Sequence, residues 1–172
     1  MINLKPWKAS IVPRTHSKVG YTQFAQRERF LRSEEYMMDR LSVLVAGKVA
    51  QKVLFGKVSA QLENDKDSKT VTQIATEMVQ IYGMSQRVGQ VNLSQDIPFS
   101  DGTKGMIDFE RNRIINDAIR TCETLLSEHK DELNQVVEFL VRKEVIHTAD
   151  LESILGEKKK ENLPEVPEPD LQ

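Results

Sequence analysis

The chain has 172 residues, with 24 Lys and Arg against 26 Asp and Glu, giving a formal net charge of −2. That length supports one domain with a sizeable core, burying roughly 70% of the surface the unfolded chain exposes, and the balanced charge excludes a global field that would draw in nucleic acid or an anionic membrane. The single Cys122 excludes an intramolecular disulfide and a cysteine zinc site, and no run approaches the roughly 18 consecutive apolar residues that would span a bilayer.

From the N-terminus, Lys5, Lys8, Arg14 and Lys18 give a basic start without the continuous apolar core of a secretory signal, and Pro6 and Pro13 oppose an amphipathic targeting helix. Ser10 to Val12 and Val19 to Phe24 read as the two strands of a small hairpin around a polar loop, with β content ending there. Ser33 is a predicted N-cap. Glu34 and Glu35 follow in the first turn, Met37, Leu41, Leu44, Val45, Val49 and Val53 share one helical face, and Gly56 supplies the stop. A second helix is predicted from about Lys66 to Tyr82, where Val71, Ile74, Ala75, Met78, Val79 and Tyr82 recur at threes and fours before Gly83.

Asn92 to Gly105, polar and carrying Pro98, Gly102 and Gly105, reads as a loop. A third helix follows, with Ile107, Ile114, Ile115, Ala118, Cys122, Leu125 and Leu126 on its apolar side, then a fourth with Leu133, Val136, Val137, Leu140 and Val141. A short fifth begins at Thr148 as predicted N-cap and buries Leu151, Ile154 and Leu155. Residues 156–172 carry charge, three prolines and no periodicity, and are expected to form a disordered tail on a domain spanning 1–155. The expected class is mainly α: a helical bundle with a small N-terminal β-hairpin.

A catalytic zinc needs three protein ligands and an open position, and two imidazoles one helical turn apart supply two of them. His16, His129 and His147 are the only histidines, and no two are spaced to form that pair. Cys122, on an apolar helical face, reads as a buried inert thiol. No nucleophile elbow and no phosphate-binding glycine loop is present in the sequence. Residues 1 to 32 hold seven Lys or Arg against the single acid Glu28, interleaved with Trp7, Tyr21, Phe24 and Phe30. Such a mixture can bind phosphates and stack bases, but a solvated basic surface whose aromatics close a small core is the simpler reading, so no nucleic-acid partner is expected.

Taken as an ordered series, Ile11-Val12-Pro13-Arg14, Gly20-Tyr21-Thr22-Gln23, Asp39-Arg40, Phe55-Gly56-Lys57-Val58-Ser59, Asn64-Asp65, Tyr82-Gly83-Met84-Ser85, Val88-Gly89-Gln90-Val91, Ile107-Asp108-x-Glu110 and Ile115-Asn116-Asp117-Ala118 resemble the peptidase domain of the FtsH-type ATP-dependent zinc metalloproteases, with the Gly83-Met84 and Gly89-Gln90 phrases most similar to the mitochondrial branch that faces the matrix. The resemblance implies a membrane-anchored homo- or hetero-hexamer of AAA subunits. In it an ATPase ring feeds unfolded or membrane proteins to a peptidase ring, at the mitochondrial inner membrane. It implies Zn²⁺ as the parent family's cofactor, with Asp65 at the position of the third zinc ligand; a carboxylate favoured by the helix dipole is the alternative reading of that residue.

In the family a His-Glu-x-x-His helix lies shortly before the Ile-Val-Pro-Arg strand. The 172 residues hold no such motif, so this chain alone is expected to bind zinc weakly at most and to be inactive. The family's acidic position in the helix after Gly47 is Gln51 here, and Ala60-Gln61-Leu62 replaces a Thr-Gly-Ala stretch. Two accounts remain open: the C-terminal part of an ATP-dependent zinc metalloendopeptidase, or a non-catalytic interaction module of a hexameric protease ring. The first predicts a bare apolar groove where the zinc helix would pack; the second predicts polar substitutions there.

Overall fold

The structure, a computed structural model, describes residues 6–13, 20–24, 33–57, 62–90, 93 and 99–156, without the side chains of 62–65. Among them the elements run β1 (Pro6–Ser10), β2 (Tyr21–Phe24), α1 (Glu34–Phe55), α2 (Leu62–Gln80), α3 (Asp101–Glu128), α4 (Lys130–Lys143), β3 (Val145–His147) and α5 (Thr148–Leu155). The mainly α expectation holds.

α1 starts where Ser33, in extended conformation, accepts the Tyr36 N–H on its side chain at 3.2 Å. This satisfies one of the backbone donors that every helix start leaves without a partner. Met37, Leu41, Val45 and Val49 recur every fourth residue and are all buried, so one stripe of α1 faces inward. Gly56 ends the helix at φ 68°, with its N–H on the Lys52 carbonyl at 2.9 Å, a left-handed turn that glycine makes without a Cβ penalty. Against the α1 stripe pack Val71, Ile74, Ala75, Met78 and Val79 of α2 and Ile107, Ile114, Ala118 and Cys122 of α3. Each buried large apolar side chain contributes about 1.5–3 kcal/mol of transfer free energy, so this three-helix interior is the main source of stability.

α2 ends in a sharp reversal. Gly83 sits at φ 62°, and a Cβ built on it would lie 2.9 Å from the Gln90 Cα. Both the left-handed backbone and the close approach of 83 to 90 exclude a side chain. Gly83→Ala is therefore expected to lower stability by about 2 kcal/mol or more. Gly105→Ala, at an exposed position of α3 where a Cβ would meet nothing within 4 Å, is expected to raise it by roughly 0.5–1 kcal/mol. Chemical denaturation of the two variants checks both signs.

Several sequence expectations need correction. β1 begins at Pro6 and ends at Ser10, so Ile11 and Val12 lie beyond it, and β content does not end with the hairpin. The sheet has three strands among the described residues, in the order β2-β1-β3. Ala9 pairs with Thr22 on one side and Ile146 on the other, both antiparallel. β3 is held because Ile146 buries its side chain to 1% exposure and the Ile11 N–H reaches the Glu144 carbonyl at 3.0 Å. The loop read over Asn92 to Gly105 is cut short by α3, which starts at Asp101. The Ser100 hydroxyl accepts the Thr103 N–H at 3.2 Å, and a good cap tolerates Gly102 and Gly105 in exposed turns that follow it.

Thr148 is the first residue of α5 rather than its cap. His147 is the cap residue, its N–H bound by the Asp150 carboxylate at 3.0 Å, while the Thr148 hydroxyl donates to the Pro6 carbonyl at 2.7 Å and ties α5 to β1. The expected tail, apart from Gly156, lies outside the described residues.

Candidate functional site

Asp65 falls in the first turns of α2; its side chain lies outside the described atoms. Two residues on, Asp67 and Ser68 open a groove between the three long helices, lined also by Leu44, Val45 and Val49 of α1, Val71 and Thr72 of α2, and Ile115 and Ile119 of α3. Its volume is about 240 Å³ and its walls are mostly aliphatic. Lys48 Nζ meets Ser68 Oγ at the groove's edge. The N-terminal end of α2 thus carries the Asp65 backbone beside an apolar hollow, and aliphatic side chains that face a hollow lack the packing partners a closed interior supplies.

The other candidates lie apart from this groove. His16 is outside the described residues. His129 joins α3 to α4 with Nδ1 3.2 Å from Glu132 Oε1, and His147 is exposed on β3. Cys122 is buried; burial, and secondarily Glu123, pushes its thiol pKa up, the environment of an unreactive thiol. Of the basic aromatic segment, Trp7 is exposed on β1, and Phe30 is outside the described residues. Among the described residues no group of three or more His, Cys, Asp or Glu is placed to hold a metal ion. The described side chains therefore do not by themselves supply a donor set for zinc.

The feature that sequence reading left unexplained is Glu110. Its carboxylate is buried to 1% exposure in α3. Oε2 accepts from Ser85 Oγ at 2.9 Å and from Arg113 Nε and Nη2 at 3.2 and 3.0 Å. Burial raises the Glu110 pKa and is the largest single influence, but the hydrogen bonds from Arg113 and Ser85 and the charges of Arg113 and Arg87 together outweigh it, leaving the group below the usual range. The ion pair raises Arg113 in turn. The signal was in the sequence: Glu110 sits three residues after Ile107 and four before Ile114, on the apolar stripe of its helix, where an acid is buried only with partners.

A depressed carboxylate contributes stability that is complete above its unfolded pKa, near 4.5, and lost as pH falls through the folded value. Urea midpoints are therefore expected to fall with pH below about 4.5, and Glu110→Gln is expected to flatten that part of the profile. An unchanged slope in the variant would remove Glu110 as its source.

The helical core, the small sheet and the α2 groove define a mainly α domain. Residues 3–154 match peptidase family M41, and the chain belongs to that family. It is similar to the ATP-dependent zinc metalloprotease FtsH of Rhodothermus marinus, 39% identical over 87% of this chain and 22% of the relative. It is also similar to ATP-dependent zinc metalloprotease FTSH 10, mitochondrial, of Arabidopsis thaliana, 33% identical over 88% of this chain and 19% of the relative. The mitochondrial inner membrane m-AAA protease component YTA10 of Saccharomyces cerevisiae matches at 35% identity over 87% of this chain and 20% of its own length. The chain thus spans about a fifth of the curated relatives it matches.

Proposed function

We propose that this chain forms the C-terminal part of the peptidase unit of an ATP-dependent zinc metalloendopeptidase, contributing the Asp65 carboxylate to a zinc whose imidazole ligands come from a His-Glu-x-x-His helix outside these 172 residues. The observation that carries the reading is the aliphatic groove beside the start of α2. Its lining by Leu44, Val45, Val49, Val71, Ile115 and Ile119 is what a domain exposes when a helix that completes its interior is taken away. The work of the assembled protein is zinc-dependent hydrolysis of unfolded or membrane proteins delivered by an AAA ring, in a homo- or hetero-hexamer with other AAA protease subunits. Its place is the mitochondrial inner membrane on the matrix side, a location supported by the mitochondrial relatives. No described helix is long and apolar enough to cross a membrane.

Alone, the chain is inactive in this reading. Incubated with an unfolded substrate such as casein and added Zn²⁺, it is expected to give no cleavage above background; cleavage abolished by a chelator would overturn that statement.

A second reading, a non-catalytic module that packs into the ring through its helices, is favoured by one feature: the neutral Gln51 at an acidic position of the family. It separates from the first by its need for no metal in the assembled protein.

A further inference from the structure

α4 is poorly covered by the rest of the fold. Leu133, Val136, Val137, Leu140 and Val141 give it an apolar side, yet none of its residues is buried. Its flank towards α5 is fixed by Lys143, whose ammonium meets the Asp150 carboxylate at 2.8 Å and lies over the Phe139 ring, 4.5 Å from its centroid. Val137 stands two residues before Phe139, and Val141 two before Lys143, which is nearly opposite on a helix of 3.6 residues per turn. These two valines are 42% and 67% exposed.

They belong to a longer stripe. Lys130, Asn134, Val137, Val141 and Glu144 follow one another at steps of four, three, four and three, the spacing that keeps side chains on one side of a helix and forms the seam of a two-helix contact. All five are exposed. Lys130 opens α4 and Glu144 caps its end, and neither side chain holds an ion pair among the described residues. Both charges run against the helix dipole, which favours acids in the first turn, where Asp131 and Glu132 lie, and bases in the last, where Arg142 and Lys143 lie.

Val137 is the midpoint of the stripe: Lys130 lies seven residues before it and Glu144 seven after. A second copy laid antiparallel, with the two Val137 side chains at the two-fold axis, therefore brings each Lys130 to the other's Glu144 and each Val141 to the other's Leu133. Each of the two charges then lies beside the end of the partner helix whose dipole favours it. A membrane or a protein surface of a single charge sign would suit one end of the stripe and oppose the other.

We infer that α4 is a self-association surface at which two copies of this chain pair antiparallel about Val137, closed at both ends by Lys130–Glu144 ion pairs. The contact is isologous, whereas a ring of more than two subunits about one axis is built head to tail. It is therefore separate from the ring contacts of the proposed assembly and does not rest on the hydrolytic reading. A seam about 20 Å long falls short of the interface area of a stable complex, so the expected dimer is weak.

The test is sedimentation equilibrium of the full 172-residue chain at low ionic strength, from roughly 10 µM to 1 mM, with a dimer Kd on the order of 0.1 mM expected. Lys130→Glu and Glu144→Lys each turn both end pairs into like charges and are expected to weaken the dimer about tenfold or more. The double exchange restores opposite charges and is expected to return Kd to within about threefold of the original. Each single exchange obeys the dipole preference, so helicity by circular dichroism is expected to hold or rise, which separates loss of pairing from loss of fold. A chain that stays monomeric throughout, single variants that associate like the parent, or a double variant as weak as either single would each overturn the inference. Association through the apolar groove beside α2 would show as the second of these results.

Discussion

An Asp65→Asn exchange, made in the native protein joined to a His-Glu-x-x-His helix, is expected to lower zinc affinity by more than about a hundredfold, and casein turnover with it. Replacement of groups that only orient a ligand already weakens metal binding by about 10–100-fold, and loss of a charged ligand exceeds that. The exchange keeps the size of the side chain and its ability to accept a hydrogen bond near the start of α2, so it separates the two readings of this residue. If Asp65 serves only the helix dipole, the variant loses about 0.3–1 kcal/mol of stability and keeps its metal. Zinc content after dialysis, measured beside the denaturation midpoint, distinguishes them.

Leu41→Ala is expected to destabilise the domain by about 3 kcal/mol or more, a large share of the 5–15 kcal/mol typical of a folded domain. Leu41 has no exposed surface and sits in the middle of the α1 stripe that meets α2 and α3, where neighbours fixed in three helices cannot collapse into the space left behind. The denaturant midpoint should fall with the m-value unchanged. A loss below about 1 kcal/mol would show that the site is far less closed than an interior of this kind requires.

The helical part of the fold was legible because its signals are local. Met37, Leu41, Val45 and Val49 state the buried face of α1 by spacing alone, and Ser33, Gly56 and Gly83 mark ends through backbone chemistry that needs no distant partner. β3 was not legible for the opposite reason. Three residues, Val145 to His147, are too few to show a period, and they are a strand only because β1, more than a hundred residues earlier, offers them an edge. At the start of α3 two local signals conflicted, the glycines at 102 and 105 against the cap at Ser100, and the cap prevailed.

The candidate site divides in the same way. Asp65 could be placed at the beginning of a helix from sequence, and the groove beside it follows from apolar positions on three helices that only the tertiary packing brings together. Glu110 was visible as an acid on an apolar stripe, but its partners Ser85 and Arg87 come from the reversal after Gly83, whose path no residue pattern specifies.

The most direct test of the central claim is the size of the native protein in its own cells, detected with an antibody raised against residues 157–172. A band several-fold larger than the 172-residue chain is the result this account predicts, because the peptidase reading requires a zinc helix on the same polypeptide. A band at the size of the chain itself would contradict it, and the non-catalytic ring module would take its place.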